Sequence, residues 1–207
     1  MPGVRLVLAS ASPARRALLR SAGIEPEVVV SEVDESTVAS TLGSDDPETV
    51  VAALARAKAE DVAGRLGAVE ESALVLGCDS LFTIDGRTWG KPSSAAEAVA
   101  RIRAMRGRQG VLRTGHHLID LDSGRSSKGV EATTVRFGPM TDAEVDVYVA
   151  TGEPLRVAGS FTLDGRSAPF VDGVEGDHSN VIGLSLPLVR RLLADLGHSI
   201  TDLWAAP

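Results

Sequence analysis

Aromatic side chains are scarce in this chain: two Trp, one Tyr and four Phe among 207 residues, or 3%. A core must therefore be built mostly from Ala, Val, Leu and Ile. Any nucleotide site would rely on aliphatic walls and polar groups, with few flat faces for stacking. Cysteine is nearly absent, and the single Cys78 excludes an intrachain disulfide, in keeping with a reducing compartment. No apolar run approaches the roughly 20 residues that span a bilayer. Met1–Leu8 lacks the apolar stretch of a secretion signal, so the chain reads as soluble and cytoplasmic with no membrane partner. Positive charge is also short: 21 Lys and Arg against 28 Asp and Glu leave a net charge of −7 and a pI near 5.1. That balance is wrong for displacing counterions from a nucleic acid. It leaves room for a small pocket of Arg and Lys holding one polyanion.

What is present is globular in character, 43% hydrophobic and 24% charged. The length fits one domain over residues 1–207, or two closely joined lobes. Val4–Ala9 reads as a buried strand. Ser12 followed by Pro13 starts a helix that runs to Ala22 and stops at Gly23. Val28–Ser31 reads as a second strand, and Asp46-Pro47-Glu48 opens a helix to Leu66 with apolar positions at helical spacing. Ala73–Gly77 reads as a third strand, and Leu81–Ile84 with Asp85-Gly86 as a hairpin. Ser94 with Glu97, and Thr141 with Glu144, make capping-box patterns for helices to Met105 and Thr151. Val111–Leu121 and Gly129–Phe137 flank the turn residues Asp122-Ser123-Gly124. Ala158–Leu163 and Pro169–Asp172 read as strands, and Leu186–Leu196 as a last helix closed by Gly197. The order predicts an α/β fold with a mixed, twisted sheet flanked by helices, because a central hairpin cannot be all-parallel.

Several fragments carry chemical potential. Ser10-Ala11-Ser12-Pro13-Ala14-Arg15-Arg16 lies where a strand gives way to a helix, and free N–H groups there favour an anion. Two arginines in a first helical turn oppose the helix dipole, and polyphosphate binding would account for them; an ordinary capped helix with solvated arginines is the plain alternative. Gly77-Cys78-Asp79-Ser80 sits at a predicted strand end, where an acid could hold a metal, orient a water or simply start a turn. Glu32, Asp34 and Glu35 offer hard oxygens suited to Mg²⁺ or Mn²⁺, or form a solvated acidic loop. Gly86–Pro92 superficially resembles a phosphate loop. Only three residues separate Gly86 from Gly90, and Pro92 follows Lys91 where a hydroxyl is needed, which excludes a Walker ATPase. His116 and His117 lack partners at metal spacing and read as structural. Cys78 reads as a buried small residue.

Taken in order, these fragments resemble the Maf family. The resemblance is carried by Ser10-Ala11-Ser12-Pro13 with Arg15, Ser31–Glu35, Leu54-Ala55 with Lys58-Ala59, and Gly77–Ser80. It continues through Gly90-Lys91-Pro92, Thr114-Gly115, Tyr148, Gly152-Glu153-Pro154, Ala158-Gly159, Glu175-Gly176, Asn180-Val181 and Gly183-Leu184, over residues 4–196. It implies a house-cleaning pyrophosphatase that cleaves the α–β anhydride of nucleoside triphosphates to monophosphate and pyrophosphate. It further implies a divalent metal, a homodimer, and two lobes around a central cleft, similar to the inosine triphosphate pyrophosphatases. By the same resemblance, Asp79 would accept the proton of the attacking water. Glu35 with Asp79 would hold the metal, and Arg15, Lys58 and Lys91 would grip phosphates beside Ser10. A second reading is a non-enzymatic nucleotide-binding regulator of cell division, and a third is a phosphatase that releases the γ-phosphate.

The sequence departs from the family pattern at Ala14, Ser80 and Asp164, positions that the resemblance links to base choice. The dTTP/UTP-selective subgroup has Arg, Thr and Gln there, and a subgroup acting on 7-methylated guanosine triphosphate has Trp, Gln and Glu. Asp164 can accept hydrogen bonds from a guanine edge and Ala14 leaves space, so a purine or modified base is expected. Gly183-Leu184-Ser185-Leu186-Pro187 also departs from the usual Gly-Leu-Pro.

Overall fold

The computed structural model describes residues 4–67 and 73–204. The chain opens with β1 (Arg5–Leu8), α1 (Pro13–Ser21), β2 (Glu27–Val28), α2 (Glu35–Thr41) and α3 (Pro47–Leu66). The middle holds β3 (Ala73–Ile84), β4 (Arg87–Trp89), α4 (Ala95–Met105), β5 (Gln109–Asp120) and β6 (Ser126–Phe137). It closes with α5 (Asp142–Ala150), β7 (Val171–Glu175), α6 (His178–Ile182) and α7 (Leu186–Leu196). Among the described residues the sheet has seven strands in the order β2-β1-β3-β5-β6-β7, with β4 added to β3. Strand β1 runs parallel to β2 and β3, whereas β3/β4 and β6/β7 are antiparallel. The expected mixed α/β sheet is what the chain forms.

Local side chains account for most helix starts. Ser12 accepts from the Arg15 N–H, Asp46 from Thr49 and Ser185 from Leu188, each just before or beside a proline at the head of α1, α3 or α7. Thr141 and Glu144 form a complete capping box on α5. The box predicted for α4 is incomplete. Ser94 caps the Glu97 N–H at 3.2 Å, but the Glu97 carboxylate turns to the Ser93 N–H and hydroxyl at 2.7 and 2.6 Å. Ser93 offers two donors to one oxygen, where Ser94 would offer only its N–H.

Four expectations are corrected. Gly77-Cys78-Asp79-Ser80 does not end a strand; β3 continues through it to Ile84. The acidic stretch after β2 runs into helix α2, with Asp34 as its cap and Glu35 as its first residue; the helix has no buried residue and therefore no apolar pattern to betray it. Ala158–Leu163 is a short 3₁₀ turn and loop instead of a strand, with Ser160 at φ 61°. β7 also begins later than predicted, at Val171.

The chain divides into two compact units. Unit 1 comprises Met1–Asp79, Thr114–Glu131 and Gly183–Pro207; unit 2 comprises Ser80–Arg113 and Ala132–Ile182. The core of unit 1 is aliphatic, with a cluster of Val7, Ala9, Val62, Ala73 and Val75. Two glycines let α3 lie directly on strand backbone. A Cβ at Gly77 would stand 2.2 Å from the Ala55 carbonyl oxygen, and one at Gly115 2.2 Å from that of Val51. Unit 2 is filled by Phe82, Phe137 and Phe161, whose rings meet edge to face at centroid distances of 4.9–5.8 Å.

Candidate active site

Side chains alternate along a strand, so Gly77 and Asp79 share the face of β3 that α3 covers. The bare backbone at Gly77 admits α3 closely, and Lys58, next to Ala59 on that helix, reaches Asp79. Asp79 and Lys58 are each only 8% exposed. Lys58 Nζ lies 2.7 Å from Asp79 Oδ1 and also 2.7 Å from Glu35 Oε1. Glu35 is the first residue of α2, and its side chain remains 59% exposed. One ammonium thus joins a buried carboxylate to one open to solvent. Burial pushes the Asp79 carboxyl above its ordinary value, while the positive charges of Lys58 and Arg15 pull it back.

The neighbouring acids are engaged elsewhere. Asp34 caps α2, accepting from the N–H and hydroxyl groups of Ser36 and Thr37. Those bonds, led by the Ser36 hydroxyl, pull its carboxyl down to about 2. Glu32 faces Arg65 at 3.5 Å. Of the three acids in the cluster, Glu35 is the one directed at Lys58.

Arg15 explains an arginine in the first turn of α1. Its guanidinium is buried and donates to the Gly183 carbonyl at 2.7 Å, the Cys78 carbonyl at 2.9 Å and the Ser10 hydroxyl at 3.0 Å. It ties the end of β1 to the strand residue preceding Asp79. Arg16 instead pairs with Glu25 on the surface. Ala14 is half-buried beside Arg15. Unit 1 therefore brings Ser10, Arg15, Glu35, Lys58 and Asp79 together. Ser80, Lys91 and Asp164 belong to unit 2, and both Lys91 and Asp164 are exposed.

The sequence model of the family described as Maf-like protein matches residues 5–196. The chain belongs to the Maf family. Relatives are similar over almost the whole length. A Streptomyces coelicolor protein named nucleoside triphosphate pyrophosphatase is 59% identical over 204 residues, 99% of this chain and 96% of its own. Proteins of the same name from Streptomyces avermitilis and a Cyanothece species are 56% and 52% identical. They cover 98% and 97% of this chain and 96% and 100% of their own. A crystal structure of a nucleoside-triphosphatase, a dITP/XTP pyrophosphatase, from Mycobacterium abscessus aligns with 94% of this chain and 98% of its own. Its TM-score is 0.39 at 14% identity, a loose likeness.

The Gly-Leu-Ser-Leu-Pro departure of this Maf chain has a local account. Ser185 caps α7 through its hydroxyl, and its N–H donates to His116 Nε2 at 2.9 Å. His116 Nδ1 faces the Thr114 carbonyl at 3.0 Å, so Nδ1 carries the proton and Nε2 accepts. His116 is structural, as its spacing predicted. Cys78 is fully buried, and burial pushes its thiol up to about 12, which makes it inert. Sequence reasoning missed the Gly183 carbonyl as a partner of Arg15, because a backbone acceptor 168 positions away has no sequence signal.

Proposed function

We propose that this chain hydrolyses nucleoside triphosphates at the α–β anhydride, giving nucleoside monophosphate and pyrophosphate. The carrying observation is the buried Asp79 joined through Lys58 to Glu35. A base for water must be ionised yet basic. Burial makes Asp79 a stronger proton acceptor, and Lys58 and Arg15 keep its charged form accessible. The water oxygen bonds to phosphorus, its proton passes to Asp79, and the α–β P–O bond breaks with pyrophosphate on one side. Lys58 neutralises the nonbridging oxygens, where charge spreads in the transition state. Arg15, held by three protein acceptors, fixes the Cys78 carbonyl next to the base and keeps a positive charge beside Ser10.

A divalent cation, Mg²⁺ or Mn²⁺, fits this donor set. Glu35 and Asp79 are hard carboxylates already within 2.7 Å of one shared cation. Among the described residues there is no cluster of three or more His, Cys, Asp or Glu able to enclose a metal. Two carboxylates completed by phosphate oxygens and water suit Mg²⁺ better than a closed protein cage. Bound there, the cation would supply charge neutralisation to the phosphates.

Asp164, exposed in unit 2, supports a purine or modified base as the preferred substrate, since its oxygens accept from the N–H groups of a guanine edge. The working form would be a cytoplasmic homodimer. Among the described residues no helix is long and apolar enough to cross a membrane. The test is product analysis with Mg²⁺ or Mn²⁺ across canonical, methylated and deaminated triphosphates. Equimolar monophosphate and pyrophosphate are expected. Orthophosphate as the product, or no turnover by folded protein that binds nucleotide, overturns the proposal.

A further inference from the structure

We infer that Glu153 is a positioning residue for base selection: its carboxylate clamps the loop 162–167 so that Asp164 is held out in one fixed place. This rests on the reading of Asp164 as the group that meets the base. All the groups concerned lie within unit 2. Glu153 Oε1 accepts from the Thr162 hydroxyl at 2.6 Å, the Arg166 N–H at 2.9 Å and the Tyr148 hydroxyl at 3.3 Å. One oxygen thus holds both shoulders of the loop. A second closure lies beneath it. The buried Ser167 hydroxyl accepts from the Thr162 N–H and donates to the Thr162 carbonyl, both at 2.7 Å.

The loop has no slack left on its inner side. A Cβ at Gly165 would stand 2.6 Å from the Thr162 hydroxyl and 2.7 Å from Glu153 Oε1, so the chain passes directly over the clamp. The clamp itself is anchored. Tyr148 is buried, and Pro154, beside Glu153, is buried as well. Asp164, between the two shoulders, is exposed. A charged acceptor holds neutral donors more strongly than a neutral one does. A recognition group whose loop is ordered before binding does not lose that freedom when the ligand arrives. Glu153 touches no reacting atom in this account; it acts through the placement of Asp164.

The test uses binding, which does not depend on turnover. Affinities for the α,β-methylene analogues of GTP and dTTP are measured calorimetrically for the wild type, Glu153→Ala, Glu153→Gln, Asp164→Ala and the Glu153→Ala/Asp164→Ala pair. The wild type is expected to prefer the guanine analogue at least 5-fold. Glu153→Ala should lose most of that preference, whereas Glu153→Gln, which keeps an acceptor at the same place, should stay within about 2-fold of wild type. In the Asp164→Ala background Glu153→Ala should add nothing. If Glu153→Ala does not fold, Thr162→Val removes one donor from the clamp and should lower the preference in the same direction. An unselective wild type, a preference untouched by loosening the clamp, or independent effects in the double variant overturn the inference. Selectivity that shifts as expected without pyrophosphate release would sink the proposed reaction and leave the clamp standing. Pyrophosphate release with unshifted selectivity would do the reverse. Failure of both analogues to bind overturns both.

Discussion

The two units solve the packing problem with opposite materials. Unit 1 contains none of the phenylalanines and no tyrosine, and its helix α3 meets strand backbone through Ala55, Ala59 and Gly77. Unit 2 contains all four Phe and the Tyr, and three of its rings form one edge-to-face group. Small residues bring main chains together, which allows a helix to deliver a lysine to a carboxylate on a neighbouring strand. Large flat residues fill volume around an irregular chain, which suits a unit whose loop 162–167 has little regular structure to hold it. Scarce aromatics are thus concentrated where geometry is irregular, and charge is buried where backbones are close.

The largest expected effect falls on the charged centre. Asp79→Asn should lower kcat by about 10²-fold or more, while the protein stays folded and still binds nucleotide. Asn keeps the shape, and Lys58 keeps Glu35. Near-normal turnover by this variant would remove Asp79 from the chemistry.

Lys58→Met tests the coupling within that centre. In the proposed mechanism Asp79 must be ionised to accept a proton, so activity should fall as pH drops through its pKa. Burial raises that pKa and Lys58 lowers it, so loss of the lysine should move the acid limb of kcat/KM to higher pH. An unmoved limb would mean that another group sets it.

In unit 2, Phe137→Ala should cost about 3–5 kcal/mol of stability, read by denaturant unfolding. Hydrogen exchange would then sharpen the contrast. Loss of protection confined to unit 2 supports separate cores, whereas equal loss in both units would break the comparison.

The smallest effects pair two glycines near α3. Gly77→Ala forces a methyl against the Ala55 carbonyl and should cost about 1–3 kcal/mol, with activity falling as Lys58 moves away from Asp79. Gly64→Ala, exposed within the same helix with nothing within 4 Å of the added carbon, should stabilise by about 0.5–1 kcal/mol. Equal changes in melting temperature would refute the close-approach argument.

What was legible in the sequence follows from how local each cause is. Helices α1, α3 and α5 announce themselves because Ser12, Asp46 and Thr141 cap N–H groups within three residues. Helix α2 was illegible because it buries nothing, and its capping Asp34 looks like a metal ligand in isolation. Strand β3 looked broken because Gly77 and Asp79 are poor strand residues on propensity alone; helix α3, whose Lys58 lies 21 positions before Asp79, requires both. The residue types of the centre were readable, but Lys58 as a bridge between Asp79 and Glu35 depends on three separate elements meeting. The Glu153 clamp was invisible because its acceptors and donors are joined only once a loop has closed.

The continuity of β3 through Asp79 also bears on which insertions this lineage can tolerate. A strand counts residues in twos. Inserting or deleting one residue between Ala73 and Asp79 would turn a thiol toward α3 and carry the carboxylate to the other side of the sheet. The strand behaves as a ruler with one permitted graduation, so length variation in viable descendants should collect in turns such as Asp122-Ser123-Gly124, where no face has to be kept.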